Sequence, residues 1–211
     1  LSSIAVWFAA LTTFGIDRKV AGLAILLWAI HPMRVESVAW ITERRDQVMG
    51  LFTLLTLLAY LNACRRGSRG RLHAGWRWIA VALFALALLS KATVVGLPIV
   101  LLLLDLYPLR RVARQGLPPR QAGLRLLWEK APFFAVSAAV SALALAASSE
   151  RGLLTSLDTL GIGARLAITG YALAFYLWKT LVPWPLSPLY PLALPVDPWS
   201  ATFLLPTLVV T

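Results

Sequence analysis

Polar positions in this chain gather in clusters, and long runs without a charged residue lie between them. The charge-free stretches are 1–16, 20–33, 47–64, 78–90, 92–104, 131–149, 166–178, 180–196 and 198–211. Only 47–64 and 131–149 approach the roughly 20 residues that a simple membrane-spanning helix needs. The others are shorter, and several are bounded by Trp, Pro or Lys. Short, interrupted apolar segments suit a polytopic bundle whose irregular helix ends are buried in protein or line a site. Independent hydrophobic anchors would be longer and cleaner. The pattern therefore predicts an all-α, polytopic integral membrane bundle with about eight membrane segments, several of them short. Lys91 alone separates 78–90 from 92–104. A lysine at mid-bilayer costs about 2.5–3.5 kcal/mol on insertion scales, so Lys91 is expected at an interface, in a tight turn between two helices.

Composition agrees. The chain is 59% hydrophobic and 14% charged, whereas a soluble domain carries about 25% charged residues. Mean hydropathy is +0.76. Nine Trp, 13 Pro and 13 Gly supply interfacial rings and helix interrupters. The net charge of +11 would suggest nucleic acid in a soluble protein. In a membrane protein it reflects basic loops, and no nucleic-acid partner is expected. The single Cys64 rules out an intrachain disulfide and a cysteine-based metal site. The chain opens at Leu1 without Met or a basic leader and ends in an apolar run. It is expected to be a fragment cut at both ends.

Loop charges set an expected orientation. Taken alternately, one set of loops holds Arg18 and Lys19, then Arg65 to Arg77, then Arg110 to Lys130, and Lys179, giving 14 basic residues. The other set holds Arg34, Arg44, Arg45, Lys91, Arg151 and Arg165, which is six. The positive-inside rule then makes 64–77 and 105–130 cytoplasmic and puts 31–46, Lys91 and 149–165 on the other face. The side of the segment after Lys179 stays open.

The sequence has no Walker loop, dinucleotide fingerprint, HExxH or nucleophile elbow. Gly161-Ile162-Gly163 is too little for a phosphate loop. The densest polar stretch on the non-cytoplasmic side runs from His31 to Asp46. With Pro32 at its first position it suits a short interfacial helix, on which Glu36, Trp40 and Glu43 share a face. Asp46, Gly50 and Thr53 continue as a polar or small stripe into the next membrane helix, facing protein or water rather than lipid. This stretch is either an amphipathic surface helix laced with Glu–Arg pairs or a site for an anionic lipid phosphate and an acceptor. In the second case Glu36 and Asp46 would act as base or bind a divalent ion. His31, Arg44 and Arg45 would hold the substrate, the arginines gripping phosphate oxygens bidentately. Lys91 is either a snorkelling lysine or a point charge for the same phosphate. Asp105 is expected to cap its helix or pair with Arg110. Residues 183–191 form a proline-rich rigid connector, with Trp184 and Tyr190 as interface anchors.

His31-Pro32-x-x-x-Glu36-Ser37-Val38-Ala39-Trp40-Ile41, followed by Arg44-x-Asp46 at a helix start, resembles the multispanning half of the TMTC-type family. These are transmembrane proteins with tetratricopeptide repeats, similar to protein O-mannosyltransferases. Leu89-Ser90-Lys91 before a helix ending at Asp105, Glu129-Lys130-x-Pro132-Phe133-Phe134, and Tyr176-Leu177-x-Lys179-Thr180-x-x-x-Trp184-Pro185-Leu186-Ser187-x-x-Tyr190 fit the same family in the same order. The resemblance implies a partial GT-C-type transmembrane domain over 1–211. Its first helix with the first outward loop and its C-terminal tetratricopeptide repeats would lie outside the chain. The implied activity is glycosyl transfer from a polyprenyl-phosphate sugar, with mannose as the candidate sugar, to an acceptor on the non-cytoplasmic face, a protein Ser or Thr hydroxyl or a glycan. No metal ligand set is implied. The membrane is expected to be a bacterial inner membrane, with the endoplasmic reticulum as the alternative. The rival class is a non-catalytic membrane scaffold for repeat-mediated interactions. A transporter fits less well, because the acids cluster at an outer loop and not at mid-bilayer.

Overall fold

A computed structural model describes residues 12, 15–32, 44–68, 70–150, 161–187, 190, 200, 202 and 203. Seven α-helices and no strand occur among the described residues. They are α1 (Arg18–Ile30), α2 (Arg44–Arg66), α3 (Ala74–Ser90), α4 (Leu97–Leu106), the single turn α5 (Arg111–Arg114), α6 (Pro119–Glu150) and α7 (Ile162–Leu181). A short 3-10 helix, Ala92–Gly96, joins α3 to α4. The fold is all-α, with apolar helices that suit a membrane, as the run pattern predicts. It divides into two compact units, 1–147 and 148–211.

The two runs closest to a span become the two helices that, among the described residues, are long and apolar enough to cross a membrane, α2 and α6. The run at 131–149 is only part of α6, which begins twelve residues earlier at Pro119 and has 32 residues. At 1.5 Å per residue this is about 48 Å, well beyond a hydrocarbon core of about 30 Å. The polar first turns of α6, with Arg120, Arg125, Glu129 and Lys130, therefore extend out of the apolar layer. The 180–196 run is not one helix in its described part: α7 ends at Leu181 and 182–187 is irregular. Pro183 and Pro185 remove backbone donors and disfavour helical φ, ψ in the residues before them.

In the first unit, α2 and α3 form an antiparallel hairpin. Gly67 makes its turn possible, because a Cβ there would run into the Arg71 carbonyl. Tyr60, Phe84, Leu88, Leu97, Leu101 and Phe133 form the core. The Phe133 ring meets Phe84 at 5.9 Å and Tyr60 edge-on at 6.4 Å between centroids. Around this core the helices keep large apolar residues outside, including Leu86, Leu89, Ile99, Leu103, Leu143 and Leu145. A soluble monomer rarely leaves such a patch uncovered, whereas lipid tails cover it without cost. In lipid, helices gain little hydrophobic energy from meeting one another, so close packing and polar contacts hold the bundle.

Lys91 occupies the tight turn expected of it. Its backbone is extended (φ −157°, ψ 126°), it caps the C-terminus of α3, and it precedes the 3-10 helix. Ser137 of α6 donates to the Val95 carbonyl at 3.0 Å and ties that turn to the bundle. In the second unit, Lys179 is buried and donates to the Pro185 carbonyl at 2.6 Å, with the Phe175 and Tyr190 rings 5.8 and 5.6 Å away. Tyr190 packs on Phe175 at 4.8 Å, and its hydroxyl accepts from the Ser187 N–H at 2.7 Å. These contacts tie Tyr190, which stays 43% exposed, to α7. Trp184, at 79% exposed, keeps the character of an anchor.

The hairpin puts 64–77 and the start of α3 at one end of the first unit and Lys91 at the other. Single cysteines at Ala92 and Ala113, both exposed, introduced with Cys64→Ser, should react with an impermeant maleimide from opposite faces of the membrane. Labelling of both from the same face would refute this arrangement.

Candidate functional site

Two polar constellations lie at opposite ends of the first unit. At one end Asp46, in the first turn of α2, meets Lys91, at the C-terminus of α3. Lys91 Nζ is 2.5 Å from Asp46 Oδ1, and the side chains are 34% and 28% exposed. Each charge sits where its helix dipole favours it, an anion at an N-terminus and a cation at a C-terminus. A pair this exposed contributes only about 0.2–1 kcal/mol to stability. Its geometry therefore matters more than its energy: an ammonium held in place by a carboxylate and still accessible. Beside it, a Cβ on Gly50 would meet no atom within 4 Å, so the space along this face of α2 is open. Thr53 turns its hydroxyl onto the Met49 carbonyl at 2.8 Å.

Of the other expected site residues, Arg44 and Arg45 stand exposed on the first turn of α2. His31 closes the C-terminus of α1, its N–H on the Trp28 carbonyl at 3.4 Å. Glu36 lies outside the described residues, as does most of the interfacial helix expected at 31–46. Among the described residues no three His, Cys, Asp or Glu side chains gather as a metal site.

The opposite end carries a buried ionic cluster. Asp105 and Lys130 are fully buried, Arg111 is 2% exposed and Glu129 is 9% exposed. Lys130 Nζ donates to Asp105 Oδ2 at 2.5 Å, and Arg111 donates to the same oxygen at 2.9 Å. Tyr60 donates its hydroxyl to Asp105 Oδ1 at 2.6 Å. The second Arg111 nitrogen donates to Glu129 Oε2 and to the Gly70 carbonyl, both at 2.6 Å. Lys130 also lies 4.7 Å from the centroid of the Tyr60 ring. Burial opposes the charge on Arg111, but the carboxylates of Asp105 and Glu129 outweigh it and hold the guanidinium pKa above its ordinary value. Two acids and two bases cancel, which is the condition under which buried charge is tolerable.

The sequence places Asp105 at a helix end but points to the wrong partner. Arg110 is exposed and adopts a left-handed conformation, φ 47° and ψ 40°. That turn, which costs a non-glycine residue about 1–2 kcal/mol, brings Arg111 rather than Arg110 under the carboxylate. Tyr60 gives no signal, because it lies inside an apolar run. Glu129 and Lys130 are visible only as part of a motif. The run pattern also counts Lys130 and Arg111 among the cytoplasmic loop charges. Both are paired with acids inside the protein, so the basic bias rests on the remaining residues.

Part of the chain is similar to proteins named as O-mannosyl-transferases. It is 39% identical over 80 residues to the human protein O-mannosyl-transferase TMTC4 and 38% identical over 81 residues to the mouse protein. It is 44% identical over 62 residues to protein O-mannosyl-transferase tmtc2 of Xenopus laevis. The chain is related to the TMTC proteins over that stretch. The matched parts cover 36% of this chain against each TMTC4 and 29% against tmtc2, but only 11% and 7% of those relatives' own lengths. No protein-family model and no solved structure matches the chain. The TMTC relatives are vertebrate, and they lend no support to the expected bacterial inner membrane. Together with the two spanning helices they make this a membrane protein.

Removing one member of the ionic cluster strands a buried charge. Lys130→Met and Arg111→Gln should each lower unfolding stability by about 3–5 kcal/mol, measured by denaturation in detergent micelles. Arg110→Gly, which relieves the left-handed strain, should be neutral or stabilising. A Lys130→Met protein as stable as the parent would show that the cluster does not hold the bundle.

Proposed function

We propose that this chain is part of a membrane protein O-mannosyltransferase of GT-C type. In this reading it moves a mannosyl group from a polyprenyl-phosphate donor to a Ser or Thr hydroxyl on the non-cytoplasmic face. The relatives' names supply the reaction class. The observation that carries the placement is the Asp46–Lys91 ion pair: two residues 45 positions apart, at the ends of two helices, converge at the end of the bundle opposite the basic loops.

In the proposed step the acceptor oxygen bonds to the anomeric carbon while the bond from that carbon to the phosphate oxygen breaks. The acceptor proton passes to a carboxylate of the 31–46 segment, Glu36 or Asp46. Negative charge grows on the departing polyprenyl phosphate, and an ammonium fixed at headgroup level stabilises it there. Lys91 suits that role because Asp46 orients it without enclosing it. Arg44, Arg45 and His31 lie on the flanking segments that would bind donor or acceptor.

In the full-length protein assayed with a polyprenyl-phosphate sugar, Lys91→Met should cut kcat/KM by about 100-fold or more, by analogy with loss of one charge-stabilising donor. Asp46→Asn, which leaves Lys91 unheld, should lower it less. Both should express and fold normally, since the pair adds little stability. Full activity in Lys91→Met would remove the phosphate role, full activity in a Glu36→Gln, Asp46→Asn double variant would remove the proposed base, and no transfer by the parent protein would favour a scaffold.

A further inference from the structure

The Arg-rich end of the first unit holds a cavity of about 500 Å³ between the α2–α3 turn and α6. Arg66, Arg71, Arg77 and Arg125 line it, with His73 and Trp128. The one acid in its wall, Glu129, already holds Arg111 at 2.6 Å, and the cavity is left with a large excess of positive charge. Arg77 Nε is buried there without a hydrogen-bond partner among the described residues. The N-terminus of α3 opens onto the same space, and His73 at its cap position makes no side-chain bond to the first-turn N–H groups. Arginine forks, uncapped helix N–H groups and a dipole's positive end are the elements that bind phosphate.

What brings the phosphate is indicated by the rings around the cavity. Trp128 is 77% exposed and Trp78 54% exposed. Arg66 lies over the Trp76 ring at 5.0 Å and Arg77 over Trp78 at 5.2 Å. Exposed tryptophans mark the level of lipid headgroups. Phe134, Leu143 and Leu145, exposed on α6 beyond Trp128, continue the apolar surface from that level into the hydrocarbon. A cavity with basic walls and this rim faces the membrane surface, where basic pockets between helices hold lipid headgroups.

We infer that this cavity binds the phosphate headgroup of an anionic lipid, whose acyl chains lie along the outer face of α6. The site is separate from the Asp46–Lys91 pair and does not depend on the transferase reading. It gives the basic end of the bundle a specific lipid partner, with Arg71 of the α2–α3 turn and Arg125 of α6 both holding the phosphate.

The test is native mass spectrometry of the full-length protein released from phosphatidylcholine nanodiscs doped with dioleoyl phosphatidate. Soluble glycerol phosphate and inorganic phosphate serve as competitors. Phosphatidate should be retained in preference to phosphatidylcholine. Arg71→Gln with Arg125→Gln should weaken retention about 25-fold, at about fivefold for each arginine. Arg71→Lys with Arg125→Lys should keep part of it, and Arg120→Gln, outside the cavity, should keep all of it. The thermal midpoint of each variant should match the parent, since none of these residues belongs to the buried cluster. Equal retention of phosphatidylcholine, or undiminished binding in the double Gln variant, would overturn the assignment. Displacement by inorganic phosphate as effective as by the lipid would assign the cavity to a soluble phosphate instead.

Discussion

Four charges buried without solvent are the constraint on which the first unit depends. Asp105 arrives on α4, Arg111 on the turn after it, and Glu129 and Lys130 on α6, while Tyr60 of α2 and the Gly70 carbonyl complete the hydrogen bonds. Each charge would cost several kcal/mol to bury alone. Together they leave neither net charge nor an unsatisfied acid oxygen. Because helices in lipid gain little from hydrophobic contact, this network fixes the registers of α2, α4 and α6 more firmly than the aromatic core beside it. Its interactions are also directional, and a one-turn slip of α6 would separate Lys130 from Asp105.

That register reaches the other end of the unit. Seven residues after Lys130, Ser137 holds the Val95 carbonyl, four positions beyond Lys91. The turn that presents Lys91 is thus tied to the same helix that carries half of the ionic cluster. Asp46 meets Lys91 because the α2–α3 hairpin is nearly symmetric: Asp46 lies 20 residues before the end of α2 and Lys91 17 residues after the start of α3. A structural end and a candidate reaction end share one scaffold, and the polarity of the bundle separates them.

How much of this is legible in the sequence varies from residue to residue. The spans are legible because charge-free length sets them, and the Lys91 turn because one lysine between two apolar runs has nowhere else to go. The Asp46–Lys91 pair is hidden, although the hairpin symmetry contains it, because the charge pattern fixes neither helix boundary: α2 starts before Asp46 at Arg44. The cluster is harder still. Charged residues next to apolar runs look like loop charges, and nothing local distinguishes Arg111 from Arg110. Only the left-handed backbone at Arg110 decides between them. Tyr60 is one aromatic among many apolar neighbours until Asp105 gives its hydroxyl an acceptor. Burial of a charge is a tertiary fact, set by which helices meet, and the run pattern carries no record of it.

The order of the cluster along the chain bears on how such a protein enters its membrane. Tyr60 and Gly70 are synthesised first, and Asp105 is followed by Arg111 after only six residues. The acid on α4 can therefore leave the insertion machinery already paired with a base from its own loop. Lys130 and Glu129 come last, with α6, and until they arrive Asp105 and Arg111 lack the other two charges that balance the site. The overlong α6 thus closes the cluster. A nascent chain stopped before it would hold Asp105 and Arg111 together, with Lys130 and Glu129 not yet made, and would lack the tie at Ser137 that positions the Lys91 turn.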